Sequence, residues 1–327
     1  MTSATLPPIG LESLSIRDFR GIDNLDLDFR RPDGRRNSLV VLAGPNGCGK
    51  TTVLEAALIA VGGYKLVVGP LGRRAVRKGA EDFEIRARVS DWIFEEGETF
   101  EVVYSARSEP PTPDPKRPHW YFSSWRAPSL VGSVNVTVGK PGRRPAKNDP
   151  NRLRNVKQQL TNAAAAQSFP GSGKPLLRNY SKWIARIDEA WATFYPGRSD
   201  GFFVDLVDLE EGGAGAFDVF YRSGKAPPLP VDDLSAGQLE LFLFLAALAL
   251  NDDRQGIIFI DEPELHLDPQ WHAPILRALM RLQPSAQFIV ATHSPAIYET
   301  AKSYERHFLV PEDDPRAAIW GGAVARP

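Results

Sequence analysis

Short apolar runs alternate with longer amphipathic stretches along most of the chain. Residues 38–43 and 257–260 are almost continuously apolar, a pattern typical of central strands buried on both faces. Each run precedes a predicted helix, over 51–60 and 270–282, and the most apolar predicted helix spans 237–250. Because strands that alternate with helices favour parallel pairing, we expect an α/β fold with a mostly parallel central sheet.

The N-terminal part and the middle of the chain follow other patterns. Apolar and polar residues alternate over 14–29, 83–89 and 99–104, which predicts an antiparallel N-terminal β layer. Loops rich in proline and basic residues then precede two predicted helices, over 152–166 and 176–195, which indicate a helical insertion. Further strands are predicted over 119–125, 202–209, 217–221 and 288–291.

The length of 327 residues suggests roughly two domains, or one domain that carries an insertion. We expect the two halves of one domain over 1–108 and 201–327, separated by an inserted helical lobe over 109–200. The formal net charge is −1, so any surface for nucleic acid must be local. Cys48 is the only cysteine of the sequence, which excludes an intramolecular disulfide and fits a reducing cytosol.

Nothing in the sequence predicts export or membrane insertion. The first ten residues lack the basic and apolar pattern of a signal peptide. The longest apolar run, 239–250, contains Glu240 and is shorter than the roughly 20 residues that a membrane span needs. We therefore expect a cytoplasmic protein with no membrane partner.

The glycine-rich turn after the first central strand carries the strongest chemical signal. Residues Gly44 to Thr51 fit G-x-x-x-x-G-K-[ST] at every fixed position. Glycines let backbone N–H groups point at phosphate oxygens, and the following helix adds its positive end. Lys50 is expected to reach the β- and γ-phosphates of ATP, and the Thr51 hydroxyl to bind Mg²⁺. The expected nucleotide contacts are Asn46, Gly47, Cys48, Gly49, Lys50, Thr51 and Thr52.

A second chemical signal ends the later central strand. Its apolar run leads directly into Asp261 and Glu262. Parallel strands deliver their last side chains to the carboxyl edge of the sheet, where ligands of such sheets bind. We expect Asp261 to hold Mg²⁺ and Glu262 to polarise the attacking water, as catalytic bases do in phosphoryl transfer.

Three more segments resemble the motifs of ABC-class ATPases. Leu234 to Gln238 resembles their LSGGQ signature, with Ala236 in place of the first glycine. Residues 267–269 resemble their D-loop, and 291–294 their switch-histidine motif. The resemblance implies an ABC-type P-loop ATPase head that dimerises head to tail, with each ATP between the glycine turn of one subunit and the signature of the other.

The resemblance also implies roles for individual residues. The signature residues Ser235, Ala236, Gly237 and Gln238 would face the γ-phosphate bound to a second copy. His293 would act with Glu262 in catalysis, and Asp268 would carry signals across the dimer. Simpler interpretations stay open: Ser235 as an ordinary helix N-cap, Asp268 as a turn residue and His293 as a satisfied buried histidine.

Other segments indicate the branch of the class. Residues 14–22 resemble the opening of RecF-like and chromosome-maintenance (SMC) ATPases, and 262–269 the extended motif of the overcoming-lysogenization-defect (OLD) branch. No coiled-coil repeat interrupts the head, and we expect any nuclease or other effector to be a separate chain. No glutamine stands out as the Q-loop residue; Gln158, Gln159 and Gln167 qualify only by type, and 121–126 is a further segment expected near the site.

A basic segment raises the question of nucleic acid. Residues 140–157 hold seven basic side chains and one acid, Asp149. The expected DNA contacts are Arg143, Arg144, Lys147, Arg152 and Arg154. Phosphate backbones attract such a patch, and a solvated loop looks the same, so both interpretations stay open.

The sequence supports one leading function and two alternatives. The leading hypothesis is a Mg·ATP-hydrolysing homodimer or higher homo-oligomer that serves as the ATPase module of a DNA-repair or anti-phage defence complex, with slow, partner-stimulated turnover. In the first alternative, ATP clamps a structural scaffold or a sequestered effector and turnover is incidental. The second alternative, a transporter ATPase, is disfavoured because 185 positions separate Lys50 from Ser235.

Overall fold

The computed structural model describes residues 10–67, 69–91, 98–112, 119–124, 130–135, 151–168, 179–207, 216–251 and 256–310. The chain forms two compact units. The first unit contains residues 1–124, 253–265 and 285–327, and the second contains residues 125–252 and 266–284. The expected DNA contacts Arg143, Arg144 and Lys147 lie outside the described residues.

A five-stranded parallel sheet forms the centre of the first unit, in the order β12-β3-β11-β10-β6. Its strands are β3 (Leu39–Ala43), β6 (His119–Phe122), β10 (Ile257–Asp261), β11 (Gln287–Thr292) and β12 (Arg306–Phe308). Every residue of β3, β10 and β11 is buried, as the continuous apolar runs predicted. The predicted α/β fold with a parallel central sheet is confirmed.

A second sheet of this unit is antiparallel, in the order β2-β1-β4-β5. Its strands are β1 (Gly10–Phe19), β2 (Ile22–Asp28), β4 (Glu84–Asp91) and β5 (Glu98–Ser105). Helix α1 (Lys50–Ala60) is apolar around most of its circumference, and it shares one hydrophobic core with both sheets. The side chain of Gln287 joins the sheets further, because it bonds the backbone N–H and C=O of Leu11. The short helix α6 (Pro295–Thr300) follows β11.

The second unit combines four helices with a small antiparallel sheet. The helices are α2 (Arg152–Ser168), α3 (Tyr180–Trp191), α4 (Ala236–Ala249) and α5 (Pro269–Leu282), and the sheet joins β7 (Asp200–Val207), β8 (Ala216–Ser223) and β9 (Leu229–Pro230). Helix α4 is buried from Leu239 to Ala249, which explains why it is apolar on every side. Helix α5 begins at Pro269 and accommodates Pro274. The strands predicted over 202–209 and 217–221 correspond to β7 and β8, although the predicted fold class did not include a separate sheet here.

Several predicted elements have other bounds in the structure. Strand β6 stops at Phe122, three residues before its predicted end, and α3 begins at Tyr180 instead of residue 176. Within the described ranges, we find no helix with the length and apolar character that crossing a bilayer requires.

Candidate nucleotide-binding site

The turn between β3 and α1 has the backbone that the glycine pattern predicted. Gly44, Gly47 and Gly49 have φ angles of 151°, 83° and 91°, which L side chains rarely adopt. A Cβ atom on Gly44 would lie 2.2 Å from the carbonyl oxygen of Leu309. Asn46 and Gly47 are exposed at the tip of the turn, while Cys48 and Thr52 are partly buried. The turn therefore presents backbone N–H groups that no side chain covers at its tip, together with the positive end of α1.

Lys50 lies inside this turn. Its side chain is buried, and its Nζ donates hydrogen bonds to the carbonyl oxygens of Gly44, at 3.0 Å, and Pro45, at 2.9 Å. Both acceptors are neutral, so they leave the positive charge of the ammonium uncompensated. A phosphate group would supply the negative counter-charge, and the residues present fit one.

At the end of β10, the carboxylate of Asp261 accepts hydrogen bonds from two hydroxyl groups. The Thr51 Oγ1 lies 3.2 Å from its Oδ1 and 3.1 Å from its Oδ2, and the Ser124 Oγ lies 3.1 Å from the same Oδ2. The described residues hold no group of three His, Cys, Asp or Glu side chains able to bind a metal ion. A cation beside Asp261 would therefore need hydroxyl, phosphate and water oxygens, which are the ligands that Mg²⁺ prefers.

Glu262 follows directly in an unusual backbone conformation. Its φ angle of 51° lies in the left-handed region, which costs a non-glycine residue about 1–3 kcal/mol. Two backbone hydrogen bonds hold it there: its N–H donates to Ala291, and its C=O accepts from Leu265. The carboxylate remains partly exposed, and its Oε1 lies 3.6 Å from the Nδ1 of His293. The structure thus brings together the two residues predicted to be catalytic.

His293 is positioned by a buried carboxylate, Glu264. The Oε1 of Glu264 accepts hydrogen bonds from the Thr292 hydroxyl at 2.7 Å and from the N–H groups of His293 and Ser294 at 2.8 and 3.1 Å. The same oxygen lies 3.2 Å from the His293 Nδ1. Since the His293 side chain is 48% exposed, the alternative of a satisfied buried histidine is wrong.

A cavity of about 460 Å³ opens beside these groups in the first unit. Its walls include the start of the glycine turn, Gly44 to Asn46, and the start of α6, His293 to Pro295. The cavity leaves room for a bound group between Asn46 and His293, on the side of the turn where His293 is exposed.

The signature-like segment lies in the second unit, at the N-terminus of α4. The Ser235 Oγ accepts from the Gln238 N–H, and the Gln238 Oε1 accepts from the Ser235 N–H, which together form a capping box. Ser235 and Ala236 are exposed. A Cβ atom on Gly237 would lie 2.7 Å from the carbonyl oxygen of His266, so this position requires glycine.

A buried ion cluster holds the chain just before the signature. The Lys157 ammonium is fully buried and contacts the carboxylates of Asp218, at 2.6 Å, and Asp232. The other oxygen of Asp232 accepts the N–H groups of Val131 and Gly132. Asp232 stands three residues before Ser235. Its contact with Lys157 of α2, which also contacts Asp218 of β8, therefore holds the segment that leads into the signature.

Asp268 stands immediately before α5. It is the N-cap of α5, where its Oδ1 accepts the Gln270 N–H at 3.0 Å. The side chain is exposed, so it remains accessible to another molecule.

The predicted DNA contact of Arg152 is wrong. Its guanidinium is buried and donates a hydrogen bond to the Glu240 carboxylate at 2.8 Å. Glu240 is itself buried on α4, and Arg152 supplies the opposite charge that a buried carboxylate needs. Lys157 of the same basic segment is also buried. Arg154 is exposed, as a surface contact requires.

Two residues at the site had no role predicted from the sequence. Glu264 lies within the segment 262–269, whose likeness to OLD proteins was the available signal, although spacing alone assigned no role to its carboxylate. Ser124 lies in the segment 121–126, which the sequence placed near the site without a role for any one residue, and the pairing of Phe122 with Ile260 brings it beside Asp261.

A sequence model of the family described as "AAA domain, putative AbiEii toxin, Type IV TA system" matches residues 104–299, more than half of the chain. The chain belongs to this AAA family. A second AAA-domain family model matches residues 13–108, so the two matches together include the glycine turn, the acidic strand end and the signature of this AAA protein.

Curated relatives of this AAA protein are longer. A Septu protein PtuA of Bacillus mycoides (strain KBAB4) is 22% identical over 314 residues, which cover 87% of this chain and 38% of that protein. A retron Ec83 "probable ATPase" of Escherichia coli is 37% identical over 134 residues, which cover 38% of this chain and 23% of that protein. The chain thus spans well under half the length of either relative.

Among solved structures, an SMC head bound to the C-terminal winged-helix domain of ScpA resembles this AAA protein with a TM-score of 0.53. The match covers 89% of this chain and 91% of the head at 15% identity, so it shows the fold alone. The AAA family and the fold shared with the SMC head both agree with the predicted resemblance to the heads of ABC-class P-loop ATPases.

Proposed function

We propose that this chain binds and hydrolyses Mg·ATP as the ATPase module of an anti-phage defence or DNA-repair complex. One observation carries the proposal: the Asp261 carboxylate accepts hydrogen bonds from the Thr51 hydroxyl of the glycine turn, and the Oε1 of the next residue, Glu262, lies 3.6 Å from the His293 Nδ1. Side chains of the types that bind phosphate, hold a cation and activate water thus lie at one edge of one sheet, which supports the proposal.

The side chains divide the chemistry among them. Bound Mg·ATP supplies the transferable phosphoryl group, with charge on its β- and γ-oxygens offset by the cation. Lys50 exchanges its carbonyl acceptors for phosphate oxygens, while Thr51 and Asp261 hold the cation. Glu262 accepts a proton from the attacking water. His293 donates a hydrogen bond to the γ-phosphate. Glu264 keeps His293 in place for this role, because its carboxylate accepts the His293 backbone N–H.

We propose that a second copy completes the site through its signature. Ser235 and Ala236 are exposed at the N-terminus of the 14-residue helix α4. A helix start with a serine hydroxyl and the N–H of Gly237 makes an anion site. In a head-to-tail homodimer this site faces the γ-phosphate of the neighbour, and the exposed Asp268 lies at the interface. Higher homo-oligomers build on the same contact.

The biological role rests on the relatives. The similarity to a Septu protein PtuA and to a retron ATPase supports a place in anti-phage defence, in the cytoplasm. We propose that turnover is slow and stimulated by a partner, and that the effector or nuclease is a separate chain. DNA binding through Arg143, Arg144, Lys147 and Arg154 remains part of the proposal.

The test compares wild type with Glu262→Gln and Lys50→Ala. We expect phosphate release by wild type, little release by Glu262→Gln, and a Glu262→Gln dimer that accumulates in Mg·ATP during size-exclusion chromatography. Lys50→Ala should neither bind nucleotide nor dimerise. Equal, near-zero release by wild type and Glu262→Gln, with intact assembly, would favour the scaffold function instead.

A further inference from the structure

Ser124 reaches the same carboxylate as Thr51 from another strand. Its Oγ lies 3.1 Å from the Asp261 Oδ2, and the Thr51 Oγ1 lies 3.1 Å from that oxygen. Ser124 and Asp261 are far apart in the sequence, with 137 positions between them. One buried carboxylate oxygen therefore has hydroxyl neighbours from two separate segments.

The sheet explains why Ser124 is there. Strand β6 pairs in parallel with β10, with Phe122 opposite Ile260. The residues that follow both strands therefore emerge at the same carboxyl edge of the sheet. Thr51 lies on α1, which follows β3, and β3 stands on the other side of β10 in the strand order. Ser124 and Thr51 thus approach Asp261 from opposite directions along the sheet.

These two hydroxyl groups help to orient the carboxylate. Asp261 is 1% exposed, so its oxygens have little access to water. A buried carboxylate is stabilised by hydrogen bonds, and partners that hold a metal-binding group are as decisive as the ligands themselves. A magnesium ion demands near-ideal octahedral geometry, so a carboxylate that rotates binds it less well.

We propose that Ser124 is a positioning residue of the magnesium site, where it fixes Asp261 from the β6 side as Thr51 does from the α1 side. This inference rests on the proposed function, because it assumes that Asp261 faces Mg·ATP. It also gives the short edge strand β6 a role: the strand carries a hydroxyl to the metal site.

The test separates metal affinity from nucleotide affinity. A fluorescent ATP analogue is titrated against Ser124→Thr and Ser124→Val, which share one shape and differ in the hydroxyl, and against Ser124→Ala. Each titration is run in EDTA and over a range of Mg²⁺ concentrations, and Mn²⁺ binding in the presence of the analogue is followed by electron paramagnetic resonance.

We expect the valine and alanine variants to need about 10-fold more Mg²⁺ for half-maximal nucleotide binding, with unchanged affinity in EDTA. Mn²⁺ affinity should fall by a similar factor, and the threonine variant should match wild type within about twofold. Equal Mg²⁺ requirements in the threonine and valine variants would overturn the inference. A loss of affinity that is the same in EDTA would overturn it too, because Ser124 would then act on the nucleotide or the fold.

Failure of this inference differs from failure of the proposed function. If wild type binds the analogue with a magnesium requirement that all three Ser124 variants share, the inference alone fails. If wild type binds no nucleotide, or Lys50→Ala binds as well as wild type, the proposed function fails and the inference falls with it.

Discussion

Replacing Glu264 by alanine should damage both the stability of the first unit and its catalysis. One oxygen of this buried carboxylate accepts the Thr292 hydroxyl and the N–H groups of His293 and Ser294. The alanine variant loses all three bonds, but the Ser294 N–H keeps a second acceptor, the Thr292 Oγ1 at 3.0 Å, so we count the loss of two. A hydrogen bond to a charged group contributes about 1.5–3 kcal/mol, so we expect a loss of about 3–6 kcal/mol.

Glu264→Gln is the matched control, because its amide oxygen keeps the acceptor while its charge is removed. Urea denaturation should place Glu264→Gln between wild type and Glu264→Ala in the free energy of unfolding. Phosphate release at a temperature where both variants are folded should fall much further in Glu264→Ala, since the His293 backbone loses its acceptor. If the alanine and glutamine variants have equal stability and equal activity, Glu264 does not position His293.

Three further predictions concern other parts of the chain. Lys157→Met removes the buried counter-ion of Asp218 and Asp232, so urea denaturation should show a loss of about 3–5 kcal/mol in the free energy of unfolding. The exposed Arg154→Ala should lose no more than about 0.5 kcal/mol, and similar losses in both variants would contradict the buried cluster. Gly237→Ala should lower phosphate release strongly, because the added Cβ would lie 2.7 Å from the His266 carbonyl oxygen, whereas Ala236→Gly should keep it; equal rates for the two variants would oppose the assignment. Burial lowers the pKa of His307 from 6.5 to about 4, so the unfolded chain binds a proton that the folded chain does not, and stability should fall as pH drops from 6.5 towards 4. His307→Gln should flatten that part of the urea-midpoint profile, and an unchanged slope would show that other groups cause it.

Contiguous patterns in the sequence predicted the parts of the fold that depend on neighbours along the chain. The apolar runs of β3 and β10, and the glycine turn between β3 and Lys50, are local signals of this kind. Arg152 shows where such reasoning stops. Its basic neighbours suggested a surface, but its partner Glu240 lies 88 positions away on a helix that is buried on every side.

The residues of the candidate site also fall into two groups: those that local motifs identify and those that only the fold brings together. Lys50, Thr51, Asp261 and Glu262 could be named from motifs, because phosphate and metal chemistry fixes both residue types and spacing. Ser124 could not, because a serine after a short strand gains meaning only from the register of β6 on β10. Glu264 stood in a recognised segment, but its bonds to residues 292–294 depend on the pairing of β10 with β11.

The central claim is that two copies share each ATP, and mixing two inactive variants tests it most directly. Lys50→Ala removes the phosphate cradle, and Ser235→Arg blocks the signature. In a head-to-tail dimer, the mixed pair holds one intact site, made from the cradle of the Ser235→Arg chain and the signature of the Lys50→Ala chain. Because a mixed pair holds one intact site where a wild-type pair holds two, phosphate release should recover to between about a quarter and about a half of the wild-type rate. A mixture that stays inactive, or a Ser235→Arg protein that is fully active alone, would contradict the shared site.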